Sequence, residues 1–320
     1  FKLAGPSAEL AWGWRELRKS ISMDEPLPAL PIDGPSASEP RVHRYLGCDH
    51  EMKTVAAESQ LAAKLLRETA SFRIAPSDEP MSEADNQPRA APKKPARAAL
   101  NIVQNNMSAA LMGACDKYLK VAPAGTVLKK AKTPFIEESL LPDGQEPGDI
   151  EKGVLAAEAS SILMSLLYTA RYARYDLLRP VCALASMVSK WNVHCDRMLY
   201  RLMCYVHTTK DEVFQIGFVG DALEACSLRL YTDADLASCR LTKKSTTGVL
   251  LVLVGPNTWF PLQGVSTKQT AVSHSSTESE LVAADHGLRR EGIPMLDLLE
   301  LLAGNKFPCL LYTSPSPRDN

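Results

Sequence analysis

The chain has 320 residues, 45% hydrophobic and 23% charged, with a formal net charge of -1. That length suits about two ordinary domains and the composition supports a packed core in at least part of it. No apolar run approaches the roughly 18 residues that cross a bilayer, and no basic, apolar leader opens the sequence, so the expectation is a soluble, intracellular chain that is not secreted and has no membrane partner.

The first residue is Phe1 rather than Met, so the chain reads as a fragment. Its eight cysteines contain no C-x-x-C pair, which argues against a disulfide framework or a zinc ribbon and for free thiols. In "HRYLGCDH", His43, Cys48 and His50 resemble metal ligands but lack a fourth at the usual spacing. The simpler reading is a strand with incidental polar residues.

From Ala75 to Ala99 the sequence is too polar and proline-rich to pack. Pro88 to Lys132 carries nine Lys or Arg against the single acid Asp116, and "EESLLPDGQEPGDIE" after it is acidic with no apolar period. Within the basic block, Met107, Leu111, Met112, Cys115, Tyr118 and Leu119 recur at three and four residues, which predicts a helix with one buried stripe.

Gly153 to His207 is strongly helical in pattern, and Pro180 is expected to divide its first helix from its second. Its polar sides carry Arg171, Arg174, Arg179, Lys190, Arg197 and Arg201 against Asp176 and Asp196. That surface could track phosphates, although a solvated face is the commoner meaning of such charge.

After residue 212 the period changes to two. "FQIGFVGD", "SLRLYTD", "TTGVLLVLVG" and "WFPLQGVSTK" predict four strands, and "STESELVAADHGLRREGIPMLDLLELLAG" predicts a capped helix closed by Gly304. Asp233 and Asp235 arrive where the second strand ends, and Glu280 lies about one turn inside the helix. An acid on a strand end and one on a packed helix can meet, and carboxylates suit Mg²⁺. Asp-x-Asp is also common in turns, and Ser/Thr followed by acids is a good helix start on capping grounds alone.

The ordered set Tyr231, Asp233, Ala234, Asp235; Lys243, Lys244, Ser245, Thr246, Thr247, Gly248; Thr267, Lys268, Gln269; and Ser275 to Glu280 closely resembles the ribonuclease H segment of copia-type LTR retrotransposon Pol polyproteins. The stretch from Ser160 to Thr209 resembles the helical connection that follows the polymerase in those polyproteins, and "VLKKAKTPFIEE" the part ahead of it. The likeness runs from about Asn106 to Gly304 and weakens back to "YLGCDHEM", while "FKLAG" looks like the strand after the polymerase Tyr-x-Asp-Asp turn. Leu236 stands where the family often has an aromatic residue, and "ASC" replaces its Gly-Asp.

The resemblance implies an α+β fold in which a helical connection precedes a truncated ribonuclease H-like mixed sheet with a packed helix, after disordered linkers in the N-terminal half. The implied division is 1–75 as a reverse transcriptase palm remnant, 76–99 as a disordered linker and 100–141 as a thumb-like helical segment. It continues with 142–152 as an acidic linker, 153–212 as the connection, 213–308 as the truncated ribonuclease H-like domain and 309–320 as a tail.

Cys309 to Asp319 resembles a translated sequencing adapter. Asp233 and Glu280 match two catalytic, metal-binding acids, with Asp235 and Glu278 as neighbours. Lys243, Lys244, Arg171 and Arg174 are the candidate nucleic-acid contacts. The implied partner is an RNA–DNA hybrid and the implied cofactor Mg²⁺, with no small-molecule cofactor. The family's remaining acids fall beyond Gly304, where this chain does not supply them, so weak metal binding and no hydrolysis are expected. A noncatalytic nucleic-acid-binding remnant and a chain without a functional product are the alternatives.

Overall fold

The computed structural model describes residues 41–45, 47–56, 58–70, 99–136, 151–212, 214–239, 242–304 and 306–313, together with Arg15 and Lys19. The chain divides after Ser38, and everything below concerns the unit Glu39–Asn320. The expected linker at 76–99 lies outside the described residues except for Ala99. The acidic linker at 142–152 is described only at Glu151 and Lys152, where Lys152 bridges Asn192.

Strands β1 (Arg41–Tyr45) and β2 (Cys48–Val55) pair antiparallel around a turn in which Gly47 has φ +76°, a left-handed conformation that favours glycine. Helix α1 (Gln60–Glu68) starts at Ser59, whose Oγ accepts the Ala62 N–H at 3.1 Å. It buries Ala62 and Leu65 against Leu100 and Ile102 of β3 (Leu100–Asn106) and Phe218 of β4 (Gln215–Val219). In this hairpin His50 Nδ1 lies 2.8 Å from Asn105 Oδ1 and Cys48 is fully buried. Both residues are absorbed into the sheet's packing.

Helices α2 (Ser108–Val121), α3 (Ala159–Ala173), α4 (Leu178–Ala185) and α5 (Val193–Thr209) share one core, in which Leu111, Tyr118, Ile162, Leu166, Val181, Leu199 and Leu202 are buried. The segments expected as a separate thumb-like piece and connection therefore pack as one body. In α2 the stripe runs through Leu111, Ala114, Cys115 and Tyr118, while Met112 and Leu119 face solvent. The break between α3 and α4 falls at Arg174 (φ -136°, ψ 65°) and a single 3₁₀ turn, Tyr175–Leu177. Pro180 lies within the first turn of α4, where its missing N–H forfeits no intrahelical bond. Residues 123–136 run along α5, held by Tyr200 Oη donating to the Val127 carbonyl (2.9 Å) and Arg201 Nε donating to that of Thr133 (2.9 Å).

The C-terminal part is an antiparallel meander, β5 (Ser227–Asp235), β6 (Thr246–Gly255) and β7 (Thr258–Lys268), with a register shift at Leu251/Val252. Helix α6 (Ser276–Gly287) runs through a π-helical turn, Leu288–Gly292, into α7 (Ile293–Ala303), which Gly304 closes with φ +69°. A Cβ on Gly287 would come within 2.8 Å of the Thr232 side chain, so glycine is what lets α6 lie against β5. A Cβ on Gly264 of β7 would likewise meet the Tyr175 ring at 2.8 Å, which brings the helical layer onto the meander's other face.

Residues 309–313, set apart by sequence as part of an adapter-like tail, form β8 (Cys309–Thr313), paired parallel to β5 from Leu228↔Cys309 to Thr232↔Thr313. Among the described residues the eight strands make one mixed sheet, in the order β1-β2-β3-β4-β7-β6-β5-β8. The fold is α+β, as expected, but Leu100–Asn106 is a strand and not helical, and it joins the β1–β2 hairpin to the meander through β3 and β4. Among the described residues no helix is long and apolar enough to cross a membrane.

Candidate functional site

Alternation along β5 buries Leu228, Leu230 and Thr232 and puts Asp233 and Asp235 on the opposite face from them, both exposed. Asp233 pairs with Gly248 and Asp235 with Thr246. On its other edge β5 pairs with β8, among the described residues, as far as Thr232.

Glu280 enters from the second turn of α6, and the start of that helix is firmly fixed. Ser275 Oγ accepts the Glu278 N–H at 3.1 Å, and Glu278 Oε2 accepts the His274 N–H at 2.7 Å, a reciprocal cap shifted one residue from the usual box. Gln269, buried at the end of β7, donates from Nε2 to the Ser279 carbonyl (2.9 Å) and to Thr247 Oγ1 (3.2 Å), tying α6 to β6. Ser245, fully buried, accepts the Ala237 N–H on its Oγ at 3.1 Å and so closes the loop after the two aspartates.

Burial, and then the neighbouring Asp233 carboxylate, push Glu280 above its ordinary value, against a backbone hydrogen bond from Ala234 that lowers it. Glu280 Oε2 is buried without a hydrogen-bond partner. An ionised carboxylate oxygen in that position is costly unless a positive partner reaches it. A hard divalent cation fits this pair, which would fill two of its roughly six oxygen positions and leave water to complete the rest. Among the described residues no group of three or more His, Cys, Asp and Glu gathers. Nor does β8 contribute an acid, since Thr313 pairs with Thr232 and the next residue is Ser314.

The other predicted residues divide. Asp235 is held by Arg179, Nη2 to Oδ2 at 3.0 Å, and Glu278 is occupied by the cap. Lys243 is exposed with φ +54°, and Lys244 Nζ donates to the Thr270 carbonyl. Arg171 is exposed near the end of α3.

Arg174 corrects the expectation of a phosphate contact, because it is 1% exposed. Its guanidinium is paired with Asp176 (2.7 Å), donates to Thr209 Oγ1 (2.8 Å) and lies 5.8 Å from the Tyr205 ring centroid. It locks the α3–α4 break to the end of α5 and offers nothing to a ligand.

Two further groups at this end of the sheet stayed outside the sequence-derived site. Lys268 Nζ lies 3.2 Å from Ser186 Oγ and 3.2 Å from Cys239 Sγ. Burial works against ionisation of Cys239, but Thr242 and Lys268 outweigh it and bring the thiol down to about 7. The lysine of the Thr-Lys-Gln element was the signal that could have found it.

No protein-family model, no curated protein and no solved structure matches this chain.

Proposed function

We propose that this chain derives from a copia-type retrotransposon Pol polyprotein and carries its helical connection and most of its ribonuclease H segment. In this reading Asp233 and Glu280 hold one Mg²⁺ against the RNA strand of an RNA–DNA hybrid. The observation that carries it is the meeting of these two acids at the end of β5, where burial and Asp233 raise the cost of ionising Glu280 and leave Oε2 without a partner. An antiparallel meander and a helix crossing it give further support.

Two bound Mg²⁺ ions supply such chemistry with a clamp for the attacking water and the leaving oxygen. Asp233 and Glu280 account for part of one ion's ligands, and the described residues bring no third acid to it. The chain therefore binds Mg²⁺ weakly and hydrolyses hybrid slowly or not at all.

The test is incubation of an end-labelled RNA–DNA hybrid with the chain and Mg²⁺, beside Asp233→Asn. No cleavage above the variant is expected. Mg²⁺-dependent cleavage abolished by Asp233→Asn would show a complete catalytic set and overturn the truncated reading.

A second reading, a nucleic-acid binder without catalysis, draws on the exposed Arg171 and on the Arg179 and Lys268 cations beside the acids. It predicts hybrid affinity that falls steeply with salt and is indifferent to Asp233→Asn. A flat salt dependence removes it.

A further inference from the structure

Strand pairing lines up Asp235, Thr246 and Lys268 as one row across β5, β6 and β7. Two residues further in, the same pairing lines up Asp233, Gly248 and Ser266. Residues two apart on a strand share a face, so both rows face one side; in the outer row Thr246 is buried, its Oγ1 2.9 Å from Ser238 Oγ, and the open space lies over the inner row. That side is the one from which the helical layer reaches in, through Arg179 to Asp235 and through Ser186 to Lys268.

The middle of the inner row carries no side chain. A Cβ on Gly248 would meet only the Asp233 carbonyl oxygen, at 3.8 Å, so the space above this glycine is open. The result is a trough about 10 Å across from β5 to β7 at ordinary strand spacing, floored by Gly248, with acids along one wall and cations at its mouth.

Arg179 and Asp235 are 37% and 58% exposed. An ion pair so open to water contributes little to stability, and a guanidinium binds phosphate oxygens as readily as carboxylate ones. Arg179 can therefore pass from Asp235 to a phosphate without cost to the fold.

We propose that this trough seats the sugar–phosphate backbone of one strand of the hybrid over Gly248, with Arg179 and Lys268 as its phosphate contacts and Asp235 as the anion that occupies Arg179 when the strand is absent. The identity of the ligand rests on the ribonuclease H reading above. The assignment of Arg179 and Lys268 comes from the register and the ion pair.

The experiment is titration of a fluorescent RNA–DNA hybrid with the full chain in EDTA over a range of salt concentrations. Arg179→Ala and Lys268→Ala should each weaken binding severalfold and lower the salt slope by about one. Asp235→Asn should tighten binding, because it frees Arg179 and removes a negative charge from the wall. Gly248→Val should weaken binding without lowering the melting temperature, since the added methyls fill open space on a strand that favours β-branched residues.

If the ion pair only braces the fold, Arg179→Ala and Asp235→Asn will shift binding in the same direction, and the proposal is wrong. Binding by the wild type that none of these variants alters rejects the trough while leaving the ribonuclease H reading intact. No hybrid binding by the wild type at low salt rejects both.

Discussion

The Glu280 carboxyl on α6 is raised above its ordinary value by burial first and then by the charge of Asp233 on β5. Among the described residues the last pair of β8 with β5 is at Thr232, next to Asp233.

That arrangement fixes a pH dependence. A carboxyl group whose folded pKa stands above its unfolded one favours the folded state while it is protonated, and this contribution is lost as pH rises through the folded value. Glu280→Gln should therefore melt higher than the wild type at about pH 7.5, and the advantage should vanish as pH falls below the ordinary glutamate value of 4.5. Thermal melts of both chains across this interval check it, and an advantage that grows toward acid pH contradicts it.

Arg174 is predicted to matter for folding alone. Removing its buried guanidinium takes away the bonds to Asp176 and Thr209, but Asp176 is 30% exposed and still accepts the Tyr205 hydroxyl, so Arg174→Ala should cost about 1.5–3 kcal/mol, the range for hydrogen bonds to a charged group. Urea denaturation measures this directly. The salt slope of nucleic-acid binding should not change in whatever fraction remains folded.

Gln269 should couple helix to sheet. Gln269→Leu removes both bonds and leaves the buried Thr247 hydroxyl without this partner, while the Ser279 carbonyl keeps its place in the ladder of α6, at a cost of about 1–3 kcal/mol. It should also loosen the helix that carries Glu280, so any stabilisation of the wild type by Mg²⁺ in a melting experiment should shrink in the variant even at temperatures where it is folded.

Gly304 ends α7 with φ +69° and donates its N–H to the Glu300 carbonyl at 2.9 Å. Gly304→Ala should destabilise the chain by about 1 kcal/mol because alanine resists the left-handed conformation. Denaturant midpoints for the two chains provide the comparison.

Strands β4 to β7 were legible in the sequence as apolar runs between turn residues, and Gly304 marked its helix end correctly, whereas the cap of α6 is Ser275, one residue before the "STESE" stretch from which the helix was expected to start. Leu100–Asn106 was not legible as a strand, since "LNIVQNN" has short alternation inside a basic block and gains its order from pairing with β2 and β4 on either side. Pro180 misled as a boundary because proline in a first turn is compatible with a helix, and Arg174, which does break the chain, has no backbone signature in sequence.

Within the site, the motif spacing singled out Asp233 and Glu280 as the acids to watch. The Arg179–Asp235 pair bridges residues far apart in sequence, and only the packing of α4 beside the meander brings them together. For the same reason Arg174 looked like one more surface cation, whereas the closing of α3 onto α5 buries it.

The most direct test of the carboxylate pair is titration of the full chain with Mn²⁺, a spectroscopic substitute for Mg²⁺, followed by electron paramagnetic resonance of the free ion. Weak binding of one ion by the wild type, lost in both Asp233→Asn and Glu280→Gln, is the expected result. Binding that survives both substitutions, or a wild type that binds no more Mn²⁺ than the variants, would contradict the claim that these two carboxylates form a cation site.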